Sequence, residues 1–278
     1  MTANYIFLEE NKMKKLITET MVLPSAAVKL YGPQFDGVLT LRAMTTKEER
    51  IRLSGQSFYE TMSQIVNECI PDNKKPDGSY KIDSRDLTDF DFFAVLVKLR
   101  IMSYGALYKT IANCHECGSQ FITTVDLSDL DCKLVPEDFV EPYKIGPLPY
   151  SKDVLGCRFL RVRDRIEIEK KKQVILTKNP QYLGDPTYQL EMQRRIVEVN
   201  GEPIDIIAAE DYVDNMIAMD SQMYHDQVDK TFGIIRMGLT ECKNPKGCDG
   251  HPWWILQADR EFFRAVVPMG SQETEQTV

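Results

Sequence analysis

No stretch of the sequence approaches the ~20 consecutive apolar residues that a membrane-spanning helix needs, which argues against a helical membrane protein. The opening residues, MTANYIFLEENKMKKLITET, carry charge throughout and lack a continuous apolar core. No signal peptide is visible there, and the expected setting is a soluble chain folded in a cytoplasm. Positive charge is scarce as well: 34 Lys and Arg face 42 Asp and Glu, for a net charge of −8. Such a surface repels phosphate, so extended nucleic-acid binding is not expected. The signature strings of catalysis are missing too, with no GxGxxG, GxxxxGK, HExxH or GxSxG. The string CHEC sets a Glu beside two thiols, but the H-x-E and following P-C-x-x-C of the zinc deaminases are absent. The expectation is a protein that is not an enzyme.

What is present is cysteine, in an informative arrangement. There are seven, an odd number, and in a reducing compartment most should be thiols or metal ligands. Cys69, Cys132 and Cys157 stand alone and read as buried structural thiols. IANCHECGSQF (111–121) holds Cys114 and Cys117 at the two-residue spacing of a zinc knuckle. No second close CxxC exists, but TECKNPKGCDG (240–250) holds Cys242 and Cys248 across a Pro-Gly turn, with a looser spacer of five residues. A tetrahedral zinc wants four soft or imidazole ligands, and each pair supplies two thiolates. Together they would make a structural four-cysteine zinc site that clamps distant parts of the chain. Loop-closure entropy grows only slowly with length, so the separation is no objection. His115 or His251 could replace a cysteine in this set. A redox CxxC is the rival reading of the first pair, although its surroundings are not the strand-to-helix context of thioredoxins. His225 has no partner in the sequence and reads as a helix-surface residue.

Around these pairs the chain reads as an α+β, helix-rich fold, with two small Cys-pair knuckles and short β-hairpins forming a zinc-ribbon-like element. Residues 1–36 read as an N-terminal arm and 271–278 as a disordered polar tail. GVLTLRAM (37–44) alternates like a strand, and Thr46 with Glu49 resembles a capping box opening a helix. From Asp86 or Thr88 a wide apolar stripe (Phe92, Phe93, Val95, Leu96, Leu99, Met102) predicts a long, largely buried helix delivering the chain to Cys114. QFITTVDL alternates like a strand. In the middle section, 136–199, CRFLRVRD reads as a strand, RIEIEKKKQVIL as a charged helix, and the segment before Asn200 as another helix. Residues 203–239 read as one long helical stretch, with Met216, Met219 and Met223 on its packing side. Segments 86–130 and 211–264 share an order of parts: amphipathic helix, Cys pair on a turn, alternating strand, acidic turn. This suggests one compact unit over 37–270 made of two related halves, about 37–135 and 200–270.

The string FFAVLVKLRIMSYGALYKTIANCHECGSQFITTVDLSDL resembles the characteristic segment of the T-even-type phage baseplate proteins. In that family a helix ending in an Arg and a Ser-Tyr-Gly-like step precedes a Cys pair, a strand and an acidic VDL. CKNPKGCDGHPWWILQADREFFR is similar to the family's closing segment, and LTLRAMTTKEERIRLSG is compatible with its opening strand and helix. The resemblance implies a component of the baseplate hub, or a hub assembly factor, of a contractile-tailed phage or related injection machine. It would be a virion protein assembled in the host cytoplasm, with other baseplate and tail proteins as partners and a homo-oligomer among the expected assemblies. Cys114, Cys117, Cys242 and Cys248 fall where the family's Cys pairs fall, the five-residue gap being the departure. Trp253, Trp254, Phe262 and Phe263 would then divide between core and interface. A cellular zinc-ribbon adaptor binding protein or single-stranded nucleic acid is the alternative, and a CxxC thiol oxidoreductase the third.

Overall fold

The computed structural model describes residues 16–28, 30–32, 35–54, 57–179, 181, 184–228, 232–257 and 260–263. Residues 1–15 of the expected arm and the whole of the expected tail lie outside that set. The rest of the arm segment supplies strand β1 (Thr18–Val22), paired antiparallel with β2 (Val38–Arg42). In β2 the period of two puts Leu39 and Leu41 fully inside and leaves Val38 and Thr40 outside. Helix α1 (Thr46–Arg52) follows, and its capping box is Thr45 with Glu48, one residue earlier than the Thr46/Glu49 pairing. Glu48 wins because it is fully buried and accepts from Thr45 N at 2.8 Å and from Arg42 Nη2 at 2.8 Å. Burial would raise its pKa, but the hydrogen bonds from Arg42 and Thr45 outweigh that and hold it at about 2. Helix α2 (Phe58–Cys69) packs its buried face beside it.

Helix α3 (Asp89–Tyr104) starts at a Thr88 cap and is buried nearly all round, as its wide apolar stripe requires. Leu39 and Leu41 of β2, Met62 and Ile65 of α2, and Trp254, Phe262 and Phe263 from the far end of the sequence join it in the main core. Within that core sits a fully buried charge. Arg100 donates to three carbonyls: Phe262 O at 2.8 Å, Gly105 O at 2.5 Å and Leu107 O at 3.2 Å. It thereby ties the end of α3 to the start of β3 (Leu107–Asn113) and to the 3-10 turn Arg260–Phe263.

β3 and β4 (Gln120–Asp126) form a hairpin in register from Leu107↔Asp126 to Asn113↔Gln120. A short β5 (Cys132–Lys133) follows. The middle section builds its own antiparallel sheet from β6 (Tyr143–Ile145), β7 (Leu155–Cys157), β8 (Ile196–Val199) and β9 (Glu202–Pro203). Between β7 and β8 run α4 (Val162–Lys178) and α5 (Thr187–Arg195). The strand expected over CRFLRVRD is thus only its first residue, because Arg161 and Asp164 already start α4. A second core, with Leu155, Cys157, Met192 and Ile196, lies under this sheet.

The long helix expected over 203–239 divides. Helix α6 (Ile206–Asp214) and helix α7 (Ala218–Val228) take its first part. The chain then returns as β10 (Gly233–Ile234) against β5 and as β11 (Met237–Leu239). Met216 and Met223 pack on the second core, whereas Met219 is 61% exposed. Finally β12 (Trp253–Ile255) inserts between β11 and β3, giving the sheet order β11-β12-β3-β4. One face of that sheet (Ala112, Val125, Trp254) joins the main core and the other faces outward. The fold is α+β, with seven helices and several small antiparallel sheets among the described residues.

Candidate metal centre

The sheet brings two hairpin tips side by side. Trp253 pairs with Asn113, so the turn that leaves β3 and the loop that enters β12 start from adjacent positions. In the first tip Cys114 N donates to Ser119 O at 3.0 Å and Gly118 N to Cys114 O at 2.9 Å. Gly118 has φ +68°, the left-handed conformation that lets a turn this tight close. In the second tip Cys242 N donates to Gly250 O at 3.2 Å. Inside it Asn244-Pro-Lys-Gly247 makes a turn, closed by Gly247 N to Asn244 O at 3.1 Å, with Pro at the favoured second position.

The result is a cluster of four thiols. The Sγ atoms of Cys114, Cys117, Cys242 and Cys248 all lie within 4.8 Å of one another. Cys114 to Cys248 is 3.8 Å and Cys117 to Cys242 is 3.6 Å. A disulfide would need about 2.05 Å. Four sulfurs at the usual Zn–S distance of about 2.3 Å around one tetrahedral zinc stand about 3.8 Å apart, so the donor set fits that ion. The sulfurs also face a backbone with no side chain in the way: a Cβ on Gly250 would lie 2.9 Å from Cys114 Sγ and 3.3 Å from Cys248 Sγ.

Electrostatics point the same way. A side-chain hydrogen bond from Asn244, and then those from Ser119, pull the Cys117 thiol down to about 5. At Cys248 a backbone hydrogen bond from Gly250 opposes, yet burial and the other three thiols push it up to about 12. Sulfurs this close do not ionise together without a cation among them. A divalent ion would supply that charge, and all four thiolates could then serve as ligands.

His115 is turned away from the cluster, its ring stacked on Trp253 at 5.6 Å and its Nε2 accepting from Trp253 Nε1. His251 is exposed and also outside the four-sulfur group. His225 is stacked on Tyr188 at 3.8 Å rather than standing alone on a helix surface. Cys69 and Cys157 are buried, and burial raises both thiols to about 12. Cys132 corrects the sequence reading, since it sits exposed on β5. Ser119, Asn244 and Gly250 complete the site and went unread in the sequence. A small residue beside each Cys pair was their only signal. Trp254, Phe262 and Phe263 belong to the core, and Trp253 is half-buried beside the tip.

Compared with known proteins, residues 20–156 match a family model described as T4 bacteriophage base plate protein. No curated protein and no solved structure matches the chain. The matched segment runs from within β1 to within β7. It contains α3, the β3–β4 hairpin, Cys114 and Cys117, while Cys242 and Cys248 lie beyond it.

Proposed function

We propose a non-catalytic role for this chain, which belongs over residues 20–156 to the T4-type phage baseplate family. It is a structural or assembly component of the hub region of a contractile-tail baseplate, and it works in the virion through contacts with other baseplate and tail proteins. One zinc held by Cys114, Cys117, Cys242 and Cys248 clamps the two hairpin tips. No reaction is assigned to that zinc, because four thiolates fill its tetrahedron and leave no position for substrate.

The family match is the observation that carries this reading, and the outer face of the β11-β12-β3-β4 sheet supports it. Leu107, Ile111, Ile122, Met237 and Leu239 are each more than half exposed there. Register puts them on one face, with Ile111 opposite Ile122 and Leu239 opposite Trp253. Exposed apolar patches of this kind mark protein-interaction surfaces. No helix among the described residues is long and apolar enough to cross a membrane.

Probing purified phage particles and hub intermediates with an antibody to this chain tests the role. The chain should be found in one or both and should co-purify with tail proteins. Its absence from both, together with salt-dependent binding of single-stranded nucleic acid, would favour the adaptor alternative instead.

A further inference from the structure

Away from the thiols, a cavity of about 580 Å³ opens where the start of α3, helices α4 and α5, the end of α7 and strands β10 to β12 converge. That is the size of a small-ligand site. Part of its lining is aromatic: Phe139 stacks on Phe159 at 4.9 Å, and Phe90 stands edge-on to Phe159 at 5.0 Å. Another part is charged, with Asp89, Glu191 and three arginines.

The pairing among those charges is incomplete. Arg165 takes both carboxylates, Asp89 at 2.6 Å through Nη2 and Glu191 through Nη1. Together Arg165 and Arg195 hold the Asp89 carboxyl below its usual range although burial opposes them. Arg195 reaches Glu191 only at 4.0 Å, and its buried Nε has no hydrogen-bond partner among the described residues. Arg236 opens toward the cavity with its guanidinium 3.8 Å over the Phe93 ring. Among the described residues, no carboxylate lies within ion-pair reach of it. Lys144, also in the lining, is taken by Glu198. Three guanidinium groups therefore face two carboxylates, leaving one positive charge in an aromatic recess of a protein whose net charge is −8.

Arg236 is exposed and Arg195 half-buried, so the excess charge lies within reach of an anion arriving from solvent. We infer that this cavity is a binding site for a single carboxylate carried on an aromatic or aliphatic body, received by Arg236 and Arg195. One carboxylate matches the one excess charge and the planar guanidinium fork, whereas a phosphate dianion would overshoot it. The phenyl rings take the body. This assignment rests neither on the baseplate role nor on the zinc. The carboxylate can come from a free small acid or from an acidic side chain flanked by aromatics on a neighbouring protein.

Titration calorimetry on the full chain tests it with three probes: phenylacetate, its neutral isostere phenylacetamide, and the peptide acetyl-Phe-Asp-Phe-amide. Both carboxylates should bind, and the amide should bind at least about tenfold more weakly, as expected for loss of a charge-assisted pair. Arg236→Gln should lose about the same factor for phenylacetate. Tighter binding of the peptide assigns the source to a neighbouring chain, and tighter binding of phenylacetate assigns it to a free acid. The inference is overturned if neither carboxylate binds, if the amide binds equally well, or if Arg236→Gln keeps wild-type affinity. Should that variant fail to fold, the acid-against-amide comparison on the unaltered protein decides alone.

Discussion

The two hairpin tips that meet at the thiol cluster are built differently. β3 and β4 run in register over seven pairs and turn within residues 114–119. β11 and β12 share three pairs and are joined by residues 240–252. The first tip is thus determined by local hydrogen bonds and by Arg100, which fixes the base of β3 through Leu107 O. The second is a longer loop, closed on itself by Thr240 N to Pro252 O at 2.9 Å, Cys242 N to Gly250 O at 3.2 Å and one inner turn, and it meets its neighbour where Cys248 Sγ stands 3.8 Å from Cys114 Sγ. On the proposed clamp the shorter jaw is held by its own hairpin and the longer one would gain most order from the ion, so ion binding and local folding would be coupled chiefly on the second side. The five-residue spacer of the second pair is compatible with this proposal, since a jaw that an ion would order does not need the tight two-residue knuckle.

Chelation should have the largest effect. A structural zinc contributes binding free energy on the order of 10 kcal/mol in small domains, so stripping it should cost at least about 3 kcal/mol of stability here. Hydrogen exchange should then show residues 240–252 losing protection while 107–126 keep most of theirs. Equal loss in both tips would break the comparison. Next is Cys114→Ser, which should lower zinc content and melting temperature together. It should do so more than Cys242→Ser, because Cys114 is 3% exposed and Cys242 only half-buried. A Cys114→Ser protein with a full equivalent of zinc and unchanged melting would remove the clamp from the account.

Arg100→Met should cost about 3 kcal/mol, because three carbonyls lose a buried donor. It should also raise exchange in β3, making the first tip behave like the second. Gly250→Ala should cost roughly 1–3 kcal/mol by crowding Cys114 Sγ, and should weaken zinc binding without altering β3. Glu48→Gln, remote from both tips, should destabilise the protein at neutral pH by about 1–3 kcal/mol and leave zinc affinity alone. Glu48's pKa is depressed in the folded state, so its contribution is present above its ordinary value of 4.5 and is lost as pH falls toward about 2. Urea unfolding of the two proteins should converge over that window.

Strong periodicity was the part of the fold legible in the sequence. The apolar stripe of α3 and the alternation of β4 are long enough to outweigh local noise, and the paired cysteines carry their own chemistry. Strands of two or three residues have no period to detect. Ile234 and Met237–Leu239 therefore read as a continuation of the preceding helix, although β10 pairs with distant β5. Capping slipped by one residue because Thr45 and Thr46 are adjacent and only the burial of Glu48 chooses between them. Cys132 looked like any isolated thiol until its strand proved to lie at the surface. The cavity was illegible for a deeper reason: Asp89 of α3, Arg165 of α4, Glu191 and Arg195 of α5 and Arg236 of the β10–β11 connection are brought together from four places, and each alone resembles a solvated charge. The four thiols, by contrast, were visible as a set because sulfur pairs are rare enough to be matched across the chain.

Zinc analysis of the purified protein, combined with thiol labelling before and after chelation, tests the clamp most directly. The account predicts one zinc per chain, with Cys132 labelling at once and Cys114, Cys117, Cys242 and Cys248 protected until the chelator is added. Protein that lacks zinc, with those four cysteines freely labelled or Cys114 joined to Cys117 in a disulfide, would contradict it.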